Sequence, residues 1–336
     1  MRYHVMRFNF PLFCLIIVLA GCIKPEQSQS EFVLATVCNI TLFDKGKPQV
    51  YRDIFRRLRE IESLMSAHLE GSDVDRINKS AGLEAVEVHR DVFFVIEQAL
   101  HYAELSDGAF DPTVGPLVSL WNISGEDPKV PSQEEIERVL PLVNWRDLEL
   151  DRDTCSVFLK RPGMALDLGG IAKGYAADEA AAIIKKAGIP RAIIDLGGNI
   201  LLVGEKKDKG PWRVGIQDPF ERPGNYIGIV QTGENSVVTS GVYERYFEAD
   251  GVKYHHILSP RDGYPVRNEL LSATIITGIS IAADAMSTAT FVLGYEKGSS
   301  LVESLEGLDA IFVFTDKSTR AGSGANFTPS DIPYSR

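Results

Sequence analysis

The segments "LDLGGIAKGYAAD" (Leu166–Asp178) and "IDLGGNILLVG" (Ile194–Gly204) share the letters DLGG, and what surrounds each copy decides the fold. Before the first copy, Ala165–Leu168 reads as a short strand. After it, apolar residues at helical spacing predict a helix over Ile171–Ala187. Arg191–Leu196, leading into the second copy, reads as a strand, and "NILLVG" after it is extended rather than helical. There the glycines are expected to form a strand crossing or bulge.

Working outward, Phe32–Phe43 is apolar and β-branched and reads as one strand. Ile54, Leu58, Ile61 and Met65 predict a helix over Val50–Met65. A short helix is expected from Ser72 and another over Val92–Leu105. Ser132 with Glu135 forms a capping-box pattern for a helix ending at Leu140. Leu148–Lys160 reads as a hairpin. Strands are expected at Trp212–Gln217, Tyr226–Thr232, Ser236–Thr239, Leu271–Thr277 and Ala310–Thr315. A hairpin is expected around "EADG", between Tyr246–Phe247 and Tyr254–Leu258. Helices are expected at Ile281–Leu293, stopped by Gly294, and at Ser299–Leu305. Strands and helices alternate without a steady βαβ rhythm. The predicted class is therefore α+β, with mixed or antiparallel sheets and packed helices.

Neither DLGG copy is a known phosphate loop. Gly169 and Gly174 match the glycine spacing of a P-loop, but Tyr175 and Ala176 stand where Lys and Ser or Thr are needed, and no GxGxxG follows a strand. The first copy still places two glycines before a helix whose first N–H groups are free. Lys173 falls in the first turn, where a cation opposes the helix dipole and is available for an anion. In "AADAMSTATFVLG" (Ala282–Gly294), Asp284 and Thr288 lie one turn apart on an alanine-rich helix. A buried acid and hydroxyl there form a hard oxygen site suited to Mg²⁺; the alternative is dipole complementation and a hydroxyl bonded back into the helix. "SDGAFDPTVGPL" (Ser106–Leu117) displays Phe110 and Asp111 in a loop. His255 and His256 are adjacent in a strand and point to opposite faces, which argues against a shared zinc.

The chain has 336 residues, 44% hydrophobic and 24% charged, with a formal net charge of -11, and no basic face marks it for nucleic acid. An anionic ligand would need a local device such as a metal ion. Residues 1–21 have a basic start at Arg2 and Arg7 and a short apolar core, then "LAGC" ends at Cys22. This resembles a bacterial lipoprotein signal, with Cys22 lipidated, residues 22–31 a tether and 32–336 one folded domain, with two intimate sublobes as the variant. Of the four cysteines, Cys38 and Cys155 remain in that body; the expectation is two buried free thiols.

In order along the chain, "LMSAHLEGSDVDRIN", "SDGAFDPTVGPLV", "ALDLGGIAKGYAAD", "AIIDLGGNI", "TSGVYERYF", "HHILSPRDGYPV" and "AADAMSTATFVLG" together resemble the ApbE family, the FAD:protein FMN transferases. The resemblance implies an ApbE-like, T-fold-related architecture. It implies cleavage of FAD at its diphosphate, release of AMP and transfer of FMN to a Ser or Thr of a target flavoprotein. It further implies Mg²⁺ held by Asp284, Thr288 and a backbone carbonyl at Gly170. Implied FAD contacts are Leu34, His68, Ala109, Phe110, Asp111, Asp167, Lys173, Tyr243, Ile257 and Leu258. The expected catalytic carboxylates are Asp284 and Asp167, either one the candidate proton acceptor. The implied partners are subunits of membrane redox pumps, met by a membrane-anchored body facing the periplasm. His68 stands where the family commonly has Tyr, which keeps FAD hydrolysis to FMN and AMP open as an alternative. A non-catalytic flavin-binding lipoprotein is a further one.

Overall fold

Val237 and Val238 are adjacent in sequence and both buried, yet they belong to different hydrophobic cores. The same is true of Leu201 and Leu202, and of Ile275 and Ile276. Successive strand residues face opposite sides, so a strand covered on both faces reads as an unbroken apolar run. The computed structural model describes residues 27–43, 47–222 and 224–330. Residues 1–21, expected as a signal segment, and Cys22 lie outside the described residues.

The central sheet has eight strands: β1 (Gln27–Val33), β2 (Thr36–Leu42), β3 (Ala192–Leu196), β4 (Asn199–Val203), β5 (Ser236–Gly241), β6 (Leu270–Thr277), β7 (Asp309–Phe314) and β8 (Thr319–Ala321). They lie side by side in that order, and every neighbouring pair is antiparallel. One face carries helices α1 (Pro48–Met65), α6 (Ala172–Lys186) and α7 (Ser280–Glu303). The other is covered by a three-stranded sheet of Trp212–Gln217, Tyr226–Thr232 and Phe327–Pro329, through Trp212, Val214, Ile216 and Val230. This is an α+β architecture with antiparallel sheets.

The smaller helices follow their sequence signals. Ser72 accepts the Asp75 N–H to cap α2 (Asp73–Lys79), and α3 spans Arg90–Leu105. α4 (Gly115–Trp121) and α5 (Gln133–Val139) follow, the latter with its full Ser132–Glu135 capping box. A satellite core of Leu117, Trp121, Ile136 and Leu258 joins α4 and α5 to the 246–255 hairpin. α7 is interrupted at Gly294 (φ 76°) and resumes at once, so the expected gap between two helices is a kink.

Several expectations need correction. Residues 32–43 form a hairpin rather than one strand, turning at Leu34 and Ala35, and β1 takes in residues 27–31 of the expected tether. Ala165–Leu168 is extended but is not a strand: Leu166 exchanges both backbone bonds with the Asn78 side chain, and the Asp167 N–H goes to the Pro112 carbonyl. The second DLGG is neither crossing nor bulge. Gly197 and Gly198, at φ 65° and 92°, are the two-residue turn joining β3 to β4. Cys38 and Cys155 are both free, but only Cys38 is fully buried; burial pushes its thiol up to about 12 and makes it inert.

Candidate active site

A cavity of about 910 Å³ opens where the helix layer meets the ends of β2, β4 and β5. Its floor is the junction of α6 and α7, and the residue types explain that junction. The Asp178 carboxylate, on α6, accepts the Ser280 and Ile281 N–H groups, each at 2.9 Å, and so caps α7 from a neighbouring helix. Burial pushes Asp178 up, and the two N–H donors oppose that rise. One turn back, Gly174 lies against α7 so closely that a Cβ would sit 2.3 Å from the Ser280 carbonyl oxygen. The contact leaves the Gly174 N–H 2.9 Å from Asp284 Oδ2.

Asp284 is only 4% exposed, yet it lines the cavity. Its Oδ1 lies 3.6 Å from Lys173 Nζ, which also donates to the Gly169 carbonyl at 3.1 Å. Thr288, one turn along, shares a hydrogen bond of 3.2 Å with Ser240 on β5. A Cβ on Gly170 would lie 3.5 Å from Thr288 Oγ1 and 3.2 Å from the Phe110 ring, so this bend packs directly against both. The corner therefore gathers a carboxylate, a hydroxyl and the backbone of a double-glycine bend. All three offer hard oxygens, and that donor set fits Mg²⁺, which takes few protein ligands and keeps waters or phosphates. Among the described residues no cluster of three His, Cys, Asp or Glu side chains offers a competing site.

The first DLGG loop differs from a phosphate cradle. Its amides are mostly turned inward: Gly169 N–H to Asp167 Oδ1, Ile171 and Ala172 to the Leu168 carbonyl, Gly174 to Asp284. The positive charge this loop presents to the cavity is the Lys173 ammonium, and few of its helix N–H groups are free. Asp167 lines the cavity.

Ala109, Phe110 and Asp111 also line it, but they are buried rather than displayed. Asp111 accepts from Thr113 N–H, Thr113 Oγ1 and Trp145 N–H, so its carboxylate braces the loop that presents Phe110. Leu34 and Ile257 reach the wall, Leu258 links it to the satellite core, and His68 stands exposed at the rim. Tyr243 lies elsewhere, in a smaller cavity of about 320 Å³ that shares Gly197, Gly198, Thr239 and Glu244 with the main one.

Among the lining residues that a reading of the sequence does not assign to the site, two stand out. His256 enters the cavity just past the strand Val252–His255. Its Nδ1 lies 3.2 Å from the Arg245 carbonyl, which can only accept, so Nδ1 carries the proton and Nε2 is left as an acceptor. Burial, aided by Arg245, pushes this ring down to about 4 and keeps it neutral at physiological pH. Asn199 is the other, at the first position of β4 after the glycine turn. Nothing in its local sequence marks it, because only sheet pairing brings it to α7.

A sequence model of the ApbE family matches residues 34–312. A Treponema pallidum (strain Nichols) protein called FAD:protein FMN transferase is 37% identical, over 89% of this chain and 87% of its own length. One of the same name from Klebsiella pneumoniae (strain 342) is 41% identical over 84% and 88%. The crystal structure of the ApbE protein from Thermotoga maritima superposes with a TM-score of 0.82 at 36% identity, covering 89% of this chain and 97% of that one. The flavin transferase ApbE from Vibrio cholerae gives 0.80 at 28% identity, covering 89% and 97%.

Proposed function

The chain belongs to the ApbE family, and from that premise we propose that it is an FAD:protein FMN transferase that uses Mg²⁺ and releases AMP. The observation that carries this reading is Asp284: a carboxylate 4% exposed, open to the cavity, beside Thr288, Gly170 and Lys173. A buried charge needs such partners, and a diphosphate with its cation is the ligand that uses them all.

In this account Asp284, Thr288 and the Gly170 carbonyl hold the cation. When bound, it neutralises diphosphate charge and stabilises charge that builds up in the transition state. Lys173 meets a phosphoryl oxygen. Phe110 and the loop around it, braced by Asp111, hold the adenine side, and Leu34, Ile257 and Leu258 exclude water from the walls. The acceptor hydroxyl oxygen forms a bond to the phosphorus on the flavin side. The bridging P–O bond breaks with its electron pair leaving on AMP, and the hydroxyl proton passes to Asp167, a cavity carboxylate in the double-glycine loop that is not among the residues holding the cation.

A second reading, hydrolysis with water as acceptor, rests on His68. Exposed at the rim, its ring covers less of a flavin than Tyr would and leaves more room for water. Attachment to a membrane through lipidated Cys22, with the body on the periplasmic side, and delivery of FMN to redox-pump subunits belong to the same proposal. The test is incubation of the soluble body with FAD and Mg²⁺, following AMP and FMN by chromatography. AMP that appears only once an acceptor domain is added, with flavin fluorescence on that domain, supports transfer. Equal AMP and FMN without acceptor supports hydrolysis. No AMP under either condition overturns both.

A further inference from the structure

Asn199 is 1% exposed, lines the cavity, and its Nδ2 meets no hydrogen-bond partner among the described residues. A buried amide donor left unpaired is costly, so its retention asks for a ligand.

The rest of the side chain is held firmly. Ser236 Oγ lies 2.9 Å from Ser280 Oγ, and Ser280 Oγ donates to Asn199 Oδ1 at 2.9 Å. Ser280 is itself fixed, since its backbone N–H goes to Asp178. This hydroxyl chain sets which way the amide faces: the oxygen is engaged by α7, and the two N–H groups are left over. Ser280 and Asp284 are four residues apart on α7, hence neighbours on one face about one turn apart. Asn199 thus borders the same cavity beside Ser280, one turn of α7 from Asp284. On its other side, Asn199 pairs with Val238 of β5, two residues before Ser240, which bonds Thr288.

Resting on the reading of the site as a flavin-diphosphate site, we propose that Asn199 Nδ2 donates a hydrogen bond to a phosphoryl oxygen of bound FAD. It is a specificity-determining residue for the phosphate rather than for the flavin ring. A neutral donor suits this place. The corner already holds one cation in Lys173 and one carboxylate in Asp284, and an amide adds an oriented dipole without altering that balance.

The substitution Asn199→Asp tests this while sparing the structural bond. Aspartate keeps an oxygen to accept from Ser280, but replaces the donor with a negative charge facing phosphate. Asn199→Ala removes both and serves as the second variant should the first fold poorly; thermal melting reports on folding in each case. The readout is equilibrium binding of riboflavin, FMN and FAD in Mg²⁺, followed by flavin fluorescence. For both variants FMN and FAD should bind roughly tenfold weaker or worse, as loss of a hydrogen bond to a charged group implies, while riboflavin is unchanged. In turnover the loss should appear in KM. FAD binding within twofold of wild type overturns the proposal. So does equal weakening of riboflavin, which would put the donor on the ring. A wild-type protein that binds no flavin at all overturns instead the reading of the site on which this rests.

Discussion

The backbone N–H of Gly174 lies 2.9 Å from the Asp284 carboxylate, and it is there because Gly174 has no side chain. A Cβ would meet the Ser280 carbonyl oxygen at 2.3 Å and the Ile281 Cα at 2.6 Å, both backbone atoms that cannot swing aside. The glycine thus sets how closely α6 and α7 approach, and with it the position of the acid. Gly174→Ala should cost about 1–3 kcal/mol of stability, in the range for overpacking. It should also lower FAD turnover more than its shift in melting temperature explains. Normal turnover and melting would show that the helices can move apart without consequence.

Each oxygen of Asp284 has its own partner, Oδ2 the Gly174 N–H and Oδ1 the Lys173 ammonium, and one substitution removes both. Asp284→Ala leaves the buried Gly174 N–H unpaired and Lys173 without its carboxylate. AMP release should fall roughly a hundredfold or more, as for loss of a group that holds charge-stabilising machinery in place. Addition of Mg²⁺ with FAD should raise the wild-type melting temperature and leave that of the variant unmoved. Equal shifts in both would detach Asp284 from cation binding.

Asp178 works at a distance from the chemistry. Asp178→Ala strips the acceptor from two N–H groups at the start of α7, and about 2 kcal/mol of stability should go with it. Asp178→Asn keeps one acceptor and should recover part of the loss. Urea unfolding of the three proteins checks the order; coincident midpoints would contradict it.

Acid should weaken the fold through two histidines. His255 is buried with Nε2 2.8 Å from the Val266 carbonyl, and burial holds its pKa below the usual value. His256 is held lower still, at about 4. In the unfolded chain both titrate near 6.5, so between about 6.5 and 4 the unfolded state binds more protons. Stability is present above that window and is lost as pH falls through it. Unfolding midpoints measured across the window should decline, and less steeply in His256→Gln. An unchanged slope in the variant would remove His256 from the account.

The turn between β1 and β2 stores strain that substitution can release. Leu34 and Ala35, at φ 57° and 53°, adopt the left-handed conformation that glycine accepts freely. Ala35→Gly should stabilise the protein by up to about 1 kcal/mol, net of the greater freedom glycine gains when unfolded. A lower melting temperature would show that the methyl group matters more than the backbone.

Much of this was legible in the chain because the signals are local. α1 shows its buried face at Val50, Ile54, Leu58 and Ile61, and the four-residue spacing of Asp284 and Thr288 puts both on one side of α7. Lys173 sits where its place after two glycines suggests. What escaped depends on partners far away in sequence. Leu34 and Ala35 carry no turn chemistry, so the hairpin read as one strand. Asn78 completes the backbone of Leu166 across 88 residues, and an extended segment took the appearance of a strand. Asn199, His256 and Asp178 gain their meaning only once β4, the 246–255 hairpin and α6 converge on α7.

The proposed function requires a divalent cation between Asp284, Thr288 and the Gly170 carbonyl while FAD occupies the cavity. Diffraction from crystals soaked with FAD and Mn²⁺, used as an anomalous scatterer in place of Mg²⁺, tests it directly. An anomalous peak is expected within coordination distance of all three oxygens, about 2.0–2.3 Å, with a diphosphate oxygen completing the shell. Well-ordered FAD with no peak at that corner, or a peak coordinated by other residues, would contradict it.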